Sequence, residues 1–215
     1  VSHSDVDLIS FTGSTGVGKK ISAIASDTLK RVSLELGGNN AQLVMPDADM
    51  DLALDGVLWG AFGTTGQRCT ATSRLILHEK IHDEFVKALV NRVEKLKLGD
   101  GLKKGVEVGP CVNEGQRKTV QSYVEIGLEQ GAKLVAGGEI PTGADMKKGW
   151  FYKPTVFSHV KPEHRIAKEE IFGPVLSVIK TTSLDDGVKI LNDTIYGLSS
   201  SVYTKNINGA FRAIR

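Results

Sequence analysis

Asp7-Leu8-Ile9-Ser10-Phe11-Thr12-Gly13-Ser14-Thr15-Gly16-Val17-Gly18-Lys19 is a strand-like run, half of it apolar, followed at once by three closely spaced glycines. Residues 7–12 read as a buried strand, residues 13–18 as a glycine-rich turn and residues 19–27 as a helix. The same alternation continues outward. Residues 32–36 read as a short strand broken by Gly37-Gly38, and residues 41–45 as another. Residues 49–62 predict a helix whose apolar positions are Leu52, Leu54, Val57, Leu58, Ala61 and Phe62. A loop over 63–68 leads to a strand over 74–78. Residues 81–96 form an amphipathic pattern on Phe85, Leu89, Val93 and Leu96. After a loop over 99–110 come a helix over 114–130, a strand over 133–136 and a polar excursion over 137–149. Strands at 152–157 and 175–181, a helix at 183–192, a strand at 198–204 and a helix starting at Asn208 complete the series. Strands alternating with helices predict an α/β fold: a largely parallel sheet flanked by helices.

Composition bounds what such a fold can do. The chain has 215 residues, enough for one large domain or two small ones, with a sizeable core. Its 27 basic and 25 acidic residues leave a net charge of +2, which gives no reason to expect nucleic acid or an acidic membrane as a partner. The apolar runs are far too short to span a bilayer, no secretory signal is visible, and a cytoplasmic location is expected. Cys69 and Cys111 are the two cysteines, which is neither a disulfide framework nor a zinc pattern. The five histidines are scattered, so no bound metal is expected. The chain begins without Met and stops inside a helical pattern, so both ends read as cuts through a longer protein.

Four short motifs carry chemistry. The glycine turn places backbone N–H groups and a positive helix end where a phosphate can sit. Gly13, Gly18 and Lys19 fit the nucleoside-triphosphate loop Gly-x-x-x-x-Gly-Lys, but Lys20 stands where that loop needs a hydroxyl for magnesium. Glycines at 13, 16 and 18 also miss the dinucleotide spacing, so a plain structural turn stays open. Cys69 follows a loop of small residues between an apolar helix and a strand, a place where reactive groups are held. A thiolate is favoured by nearby positive charge, and Arg68 and Arg74 are near in sequence; a quiet core thiol is the competing reading. Glu35 lies in the apolar strand end Leu34-Glu35-Leu36. A carboxylate buried in such surroundings becomes a stronger base, whereas one at a strand end facing water does not. Glu169-Glu170 precede the break Gly173-Pro174, and read either as part of a working loop or as a solvated charge pair.

Taken in order, these motifs resemble one family. Phe11-Thr12-Gly13-Ser14-Thr15, Leu34-Glu35-Leu36-Gly37-Gly38-Asn39, Gly66-Gln67-Arg68-Cys69-Thr70 and Glu169-Glu170-Ile171-Phe172-Gly173-Pro174 are similar to motifs of the NAD(P)-dependent aldehyde dehydrogenase superfamily. So is the run over 192–198, and the separation of Glu35 from Cys69, 34 residues, matches the family pattern. The resemblance implies an aldehyde-dehydrogenase-like catalytic domain over residues 38–215, preceded over 1–37 by the end of a Rossmann-like cofactor domain. It implies oxidation of a small-molecule aldehyde with NAD or NADP. Cys69 would be the nucleophile and one oxyanion donor through its N–H; Glu35 would be the general base. Thr12, Gly13, Ser14, Thr15, Gly18 and Leu36 would meet the cofactor. Gln116 and Glu170 would hold its nicotinamide ribose, and Phe172 would pack near the nicotinamide. Further cofactor-domain strands, a second oxyanion donor and a subunit-linking strand would belong to other parts of the parent, leaving the 215-residue piece poorly active by itself. The parent is expected to form a homodimer or homotetramer. The competing functions are a nucleoside triphosphatase, against which Lys20 speaks, and a catalytically silent aldehyde-dehydrogenase-like protein. A coenzyme A-acylating branch of the family is a third, and Glu35 favours hydrolysis over it. Arg68 raises the idea of a carboxylate-bearing semialdehyde as substrate.

Overall fold

The computed structural model describes all 215 residues, Val1–Arg215, which divide into two compact units, Val1–Gly38 and Asn39–Arg215. In the first, β1 (Leu8–Thr12), α1 (Thr15–Ser26) and β2 (Arg31–Glu35) form a β-α-β element, with the two strands parallel from Leu8↔Arg31 to Thr12↔Glu35. The helix begins at Thr15 rather than at residue 19, so Gly16 and Gly18 belong to it and not to the turn. Two causes override the glycines' poor helix propensity. Ser14 caps the helix, its hydroxyl accepting from Val17 N at 3.4 Å. Gly18 is buried against Leu36, whose Cδ2 a Cβ would meet at 2.5 Å.

The second unit is built on a six-stranded sheet. Its strands are β3 (Asn40–Val44), β4 (Thr72–His78), β5 (Lys133–Ala136), β6 (Thr155–Ser158), β7 (Val175–Thr181) and β8 (Ser200–Tyr203). Their spatial order is β5-β6-β7-β4-β3-β8, and every neighbouring pair is parallel except β5 with β6. The helices are α2 (Met50–Phe62), α3 (Glu79–Val93), α4 (Glu114–Glu129), α5 (Arg165–Lys168), α6 (Leu184–Asn192) and α7 (Ile207–Ala213). On β4 the alternation of a pleated strand sorts the core into two layers. Leu75 and Leu77 pack with Val57, Phe62, Phe85 and Leu89, while Ile76 packs with Leu43, Phe157, Ile166 and Ile179. The α/β architecture with a mostly parallel sheet is the one the residue pattern predicts. The four-residue α5 escapes that pattern because it is too short to show a helical period. The strand read over 152–157 is narrower and shifted, to Thr155–Ser158. Pro154, which has no N–H to donate, stands just before it. No helix is long and apolar enough to cross a membrane.

Candidate active site

The first unit holds the glycine turn and Glu35. Thr12 and Glu35 are register partners at the ends of β1 and β2, and Gly13 N donates to Glu35 O at 3.0 Å. The backbone of Glu35 thus anchors the turn, but its side chain is exposed. Of the two readings open from the sequence, a buried carboxylate and a strand-end one facing water, this is the second. Burial alternates along β2, so Val32 and Leu34 are partly covered while Ser33 and Glu35 face outward. The N-terminal turn of α1 suits an anionic group. It holds no acidic side chain, Ser14 is exposed, and a Cβ added at Gly16 would meet nothing within 4 Å. Gly13 is glycine for a local reason as well, since a Cβ there would lie 2.5 Å from the ring of Phe11.

In the second unit Cys69 follows a turn of unusual backbone. Thr64, Thr65 and Gly66 all have left-handed φ values, 57°, 60° and 64°. Each non-glycine residue held there costs on the order of 1–3 kcal/mol, which the surroundings must offset. Gly66 is required twice over: besides its φ, a Cβ would lie 2.1 Å from Gly173 O. Cys69 itself is a free, half-buried thiol. Its carbonyl accepts from Asn40 Nδ2 at 2.7 Å, and the same amide nitrogen reaches Ala71 O at 2.8 Å. The loop is also tied to the segment before α4. Thr65 Oγ1 donates to Gly109 O (3.0 Å) and Gln67 Nε2 to Pro110 O (3.2 Å), while Gln67 Oε1 accepts from Val112 N (2.8 Å).

Both nearby arginines have other partners. The guanidinium of Arg68 stacks 4.1 Å over the ring of Trp59, with Nη2 reaching Trp59 O at 3.4 Å. Arg74 is buried and spends its donors on the carbonyls of Asn39, Ile190 and Leu191. The other cysteine, Cys111, is buried, and burial pushes its thiol pKa up, which disfavours the thiolate.

The adjacent glutamates have different surroundings. Glu169 is structural: Arg165 grips both of its oxygens, at 2.8 and 2.9 Å, and Tyr123 OH donates to it at 2.6 Å. The bonds from Arg165 and then Tyr123 hold its carboxyl below the usual range, while burial and that bond push the Tyr123 phenol up to about 12. Glu170 is half-buried and Phe172 is 39% exposed. Phe172 is also left-handed, with φ 56°. Gln116, expected at a ribose, donates its Nε2 to the carbonyls of Ile171 and Phe172, both at 2.9 Å. The second unit therefore gathers the Cys69 loop, Gln116 and the loop of Glu170 and Phe172 around one backbone neighbourhood.

A model of the aldehyde dehydrogenase family matches residues 1–215, the whole chain. The chain belongs to the aldehyde dehydrogenase family. It is 46% identical over 205 residues to a betaine aldehyde dehydrogenase of Bacillus subtilis, covering 95% of this chain and 42% of that protein. It is 49% identical to human aldehyde dehydrogenase 1A1 over 210 residues, which are 97% of this chain and 41% of that one. Among solved structures, a Staphylococcus aureus betaine aldehyde dehydrogenase in complex with NAD+ superposes with a TM-score of 0.97 at 38% identity, over 99% of this chain and 42% of that one. An NAD-dependent aldehyde dehydrogenase of Sinorhizobium meliloti gives 0.95 at 42% identity, over 100% and 42%. The chain thus spans about two fifths of the length of these relatives. The family motifs mark Cys69 and Gln67 but not the contacts that hold the loop. Asn40 and Thr65 show only as polar residues at the edges of apolar runs, and the side-chain bonds of Asn40, Thr65 and Gln67 reach residues 29 to 159 positions away.

Proposed function

We propose that the protein containing this chain oxidises an aldehyde to a carboxylic acid with NAD or NADP as hydride acceptor. The observation that carries this reading is Cys69: a free, half-exposed thiol just after a left-handed turn that approaches the loop bearing Glu170 and Phe172. In this reading residues 1–37 end a cofactor domain and residues 38–215 form most of a catalytic domain. Cys69 Sγ attacks the aldehyde carbonyl to give a thiohemiacetal, whose oxyanion the Cys69 N–H stabilises. A bound dinucleotide would supply the hydride acceptor, and loss of the hydride from the thiohemiacetal carbon leaves a thioester on Cys69. Glu35 takes a proton from water, the hydroxide attacks the thioester, and the acid leaves as the thiol is restored. The exposed carboxylate at the end of β2 has the access to water that this step needs.

The cofactor would meet Thr12 to Thr15 and the α1 N-terminus, with Gly18 and Leu36 shaping that element by packing on each other. Glu170 would hold the nicotinamide ribose, with Phe172 beside the nicotinamide. Gln116 would act there chiefly through the loop whose carbonyls it holds. The retention of Glu35 supports hydrolysis over transfer to coenzyme A. The Arg68–Trp59 stack gives that guanidinium a structural partner, so Arg68 alone does not argue for a semialdehyde substrate. A homodimer or homotetramer completes the proposal, placed in the cytoplasm by analogy with relatives such as a mouse cytosolic aldehyde dehydrogenase 47% identical over 210 residues.

The test uses the full-length enzyme with an aldehyde panel and both cofactors. Cys69→Ala is expected to lower kcat by at least about a thousandfold, the scale set by loss of a covalent nucleophile. Glu35→Gln is expected to keep the first burst of NAD(P)H and lose steady-state turnover. Normal rates with Cys69→Ala would overturn the assignment.

A further inference from the structure

Four residues in the second unit's site loops are held in left-handed backbone: Thr64, Thr65 and Gly66 before the nucleophile, and Phe172 in the other loop. Three of them are not glycine, and such conformations persist only where the surroundings over-determine them. At Phe172 a glutamine side chain does so directly; at the first turn Thr65 Oγ1 donates to Gly109 O, and the side chain of Gln67, the residue that follows the turn, ties the loop to the same segment. Gln67 uses its amide as a backbone peptide would in a sheet, donating to Pro110 O and accepting from Val112 N. Gln116 donates to the carbonyls on both sides of Phe172, which fixes both peptide planes flanking the strained residue. The two glutamines are joined by a short rigid path. Val112 is followed by Asn113, which caps the 16-residue α4 by accepting from Gln116 N at 2.8 Å. The close approach of Gly66 to Gly173 O closes the frame on its third side.

We propose that Gln67 and Gln116 are positioning residues of one amide frame, which keeps the Cys69 loop in register with the loop carrying Glu170 and Phe172. The proposal rests on the reading of Cys69 as nucleophile and of Glu170 and Phe172 as dinucleotide contacts. It adds that the two loops are mechanically one. A change at the nucleophile end must then be felt at the dinucleotide end, and the reverse.

The experiment uses the full-length enzyme with Gln67→Met, Gln116→Met and the double variant. Each is read by NAD affinity in a fluorescence titration, by the rate of iodoacetamide alkylation of Cys69, and by thermal midpoint. The expected result is crossed. Gln67→Met weakens NAD binding by roughly fivefold or more, and Gln116→Met changes the alkylation rate of Cys69 by a similar factor. The double variant shows less than the product of the single effects, because either change opens the same frame. Thermal midpoints stay within a few degrees of the parent. If a Met variant fails to fold, Gln67→Glu, which keeps the acceptor for Val112 N, and Gln116→Asn, which shortens the donor's reach, carry the same crossed test. NAD affinity unmoved by the change at position 67, or alkylation unmoved by the change at position 116, overturns the frame. Full turnover in Cys69→Ala instead defeats the reading of the site, and that control separates the two failures.

Discussion

At Asn40 one buried amide serves three backbone groups: it donates to Cys69 O and Ala71 O and accepts from Ser199 N at 3.0 Å. Only Asn or Gln offers donors and an acceptor on one planar group, and only the shorter one fits at the first residue of a buried strand. Asn40→Leu keeps the branched shape and leaves those three groups without their partner. It is expected to lower unfolding free energy by about 1–3 kcal/mol in a denaturant titration, the cost of a buried polar group left unpaired. No measurable change would mean that the Cys69 loop holds its shape without this anchor. Arg68 shows the opposite lesson. A charge next to a nucleophile in sequence invites an electrostatic role, yet its long side chain spends itself on the ring of Trp59.

Elements in this fold are joined by charged groups used in unusual ways. Arg74 extends from β4 to the end of α6, where it covers the carbonyls of Ile190 and Leu191, and it also binds Asn39 O. A cation at a helix C-terminus meets both the unpaired carbonyls and the negative end of the dipole. Burial lowers its pKa, partly countered by Asp193. Arg74→Lys keeps the charge but loses the planar fork, and is expected to destabilise by about 1.5–3 kcal/mol in the same titration. A neutral result would show that α6 ends without needing the guanidinium.

On α3, His82 is 1% exposed and is faced by Asp83 at 2.6 Å, Ser158, the edge of the His159 ring and the charge of Lys180. Burial holds its pKa below the ordinary value despite Asp83. The unfolded chain therefore binds this proton first as pH falls. The stabilisation is complete above about 6.5 and is lost as pH drops through the lower folded value. The thermal midpoint should fall between pH 7.5 and 5.5, and His82→Gln should flatten that slope. An unchanged slope in the variant would place the dependence elsewhere.

At the scale of the whole molecule the two units differ in how their strands are covered. No residue of β1 or β2 is fully buried, whereas β7 is buried at every position but Lys180. Strands with no fully buried residue belong to the low-stability end of a fold. Native-state hydrogen exchange of this chain should therefore show β1 and β2 amides opening well before those of β4 and β7. Equal protection would contradict that difference. The elements themselves were legible because they are local. β7 and β5 have the bounds their residues predict, and α2 lacks only its capping Asp49. The start of α1 was not, because Gly16 and Gly18 read as turn residues and the packing of Leu36 on Gly18 joins residues 18 positions apart. The placement of Cys69 between a helix and a strand, the glycine turn and the family itself come from residue order alone, since motifs and periodicity are properties of neighbours along the chain. The strand order, the exposure of Glu35, the diversion of Arg68 and Arg74, and the anchoring by Asn40, Gln67 and Gln116 are not properties of neighbours. They come from contacts between residues as far as 159 positions apart, which exist only once the chain has folded and which no local pattern encodes.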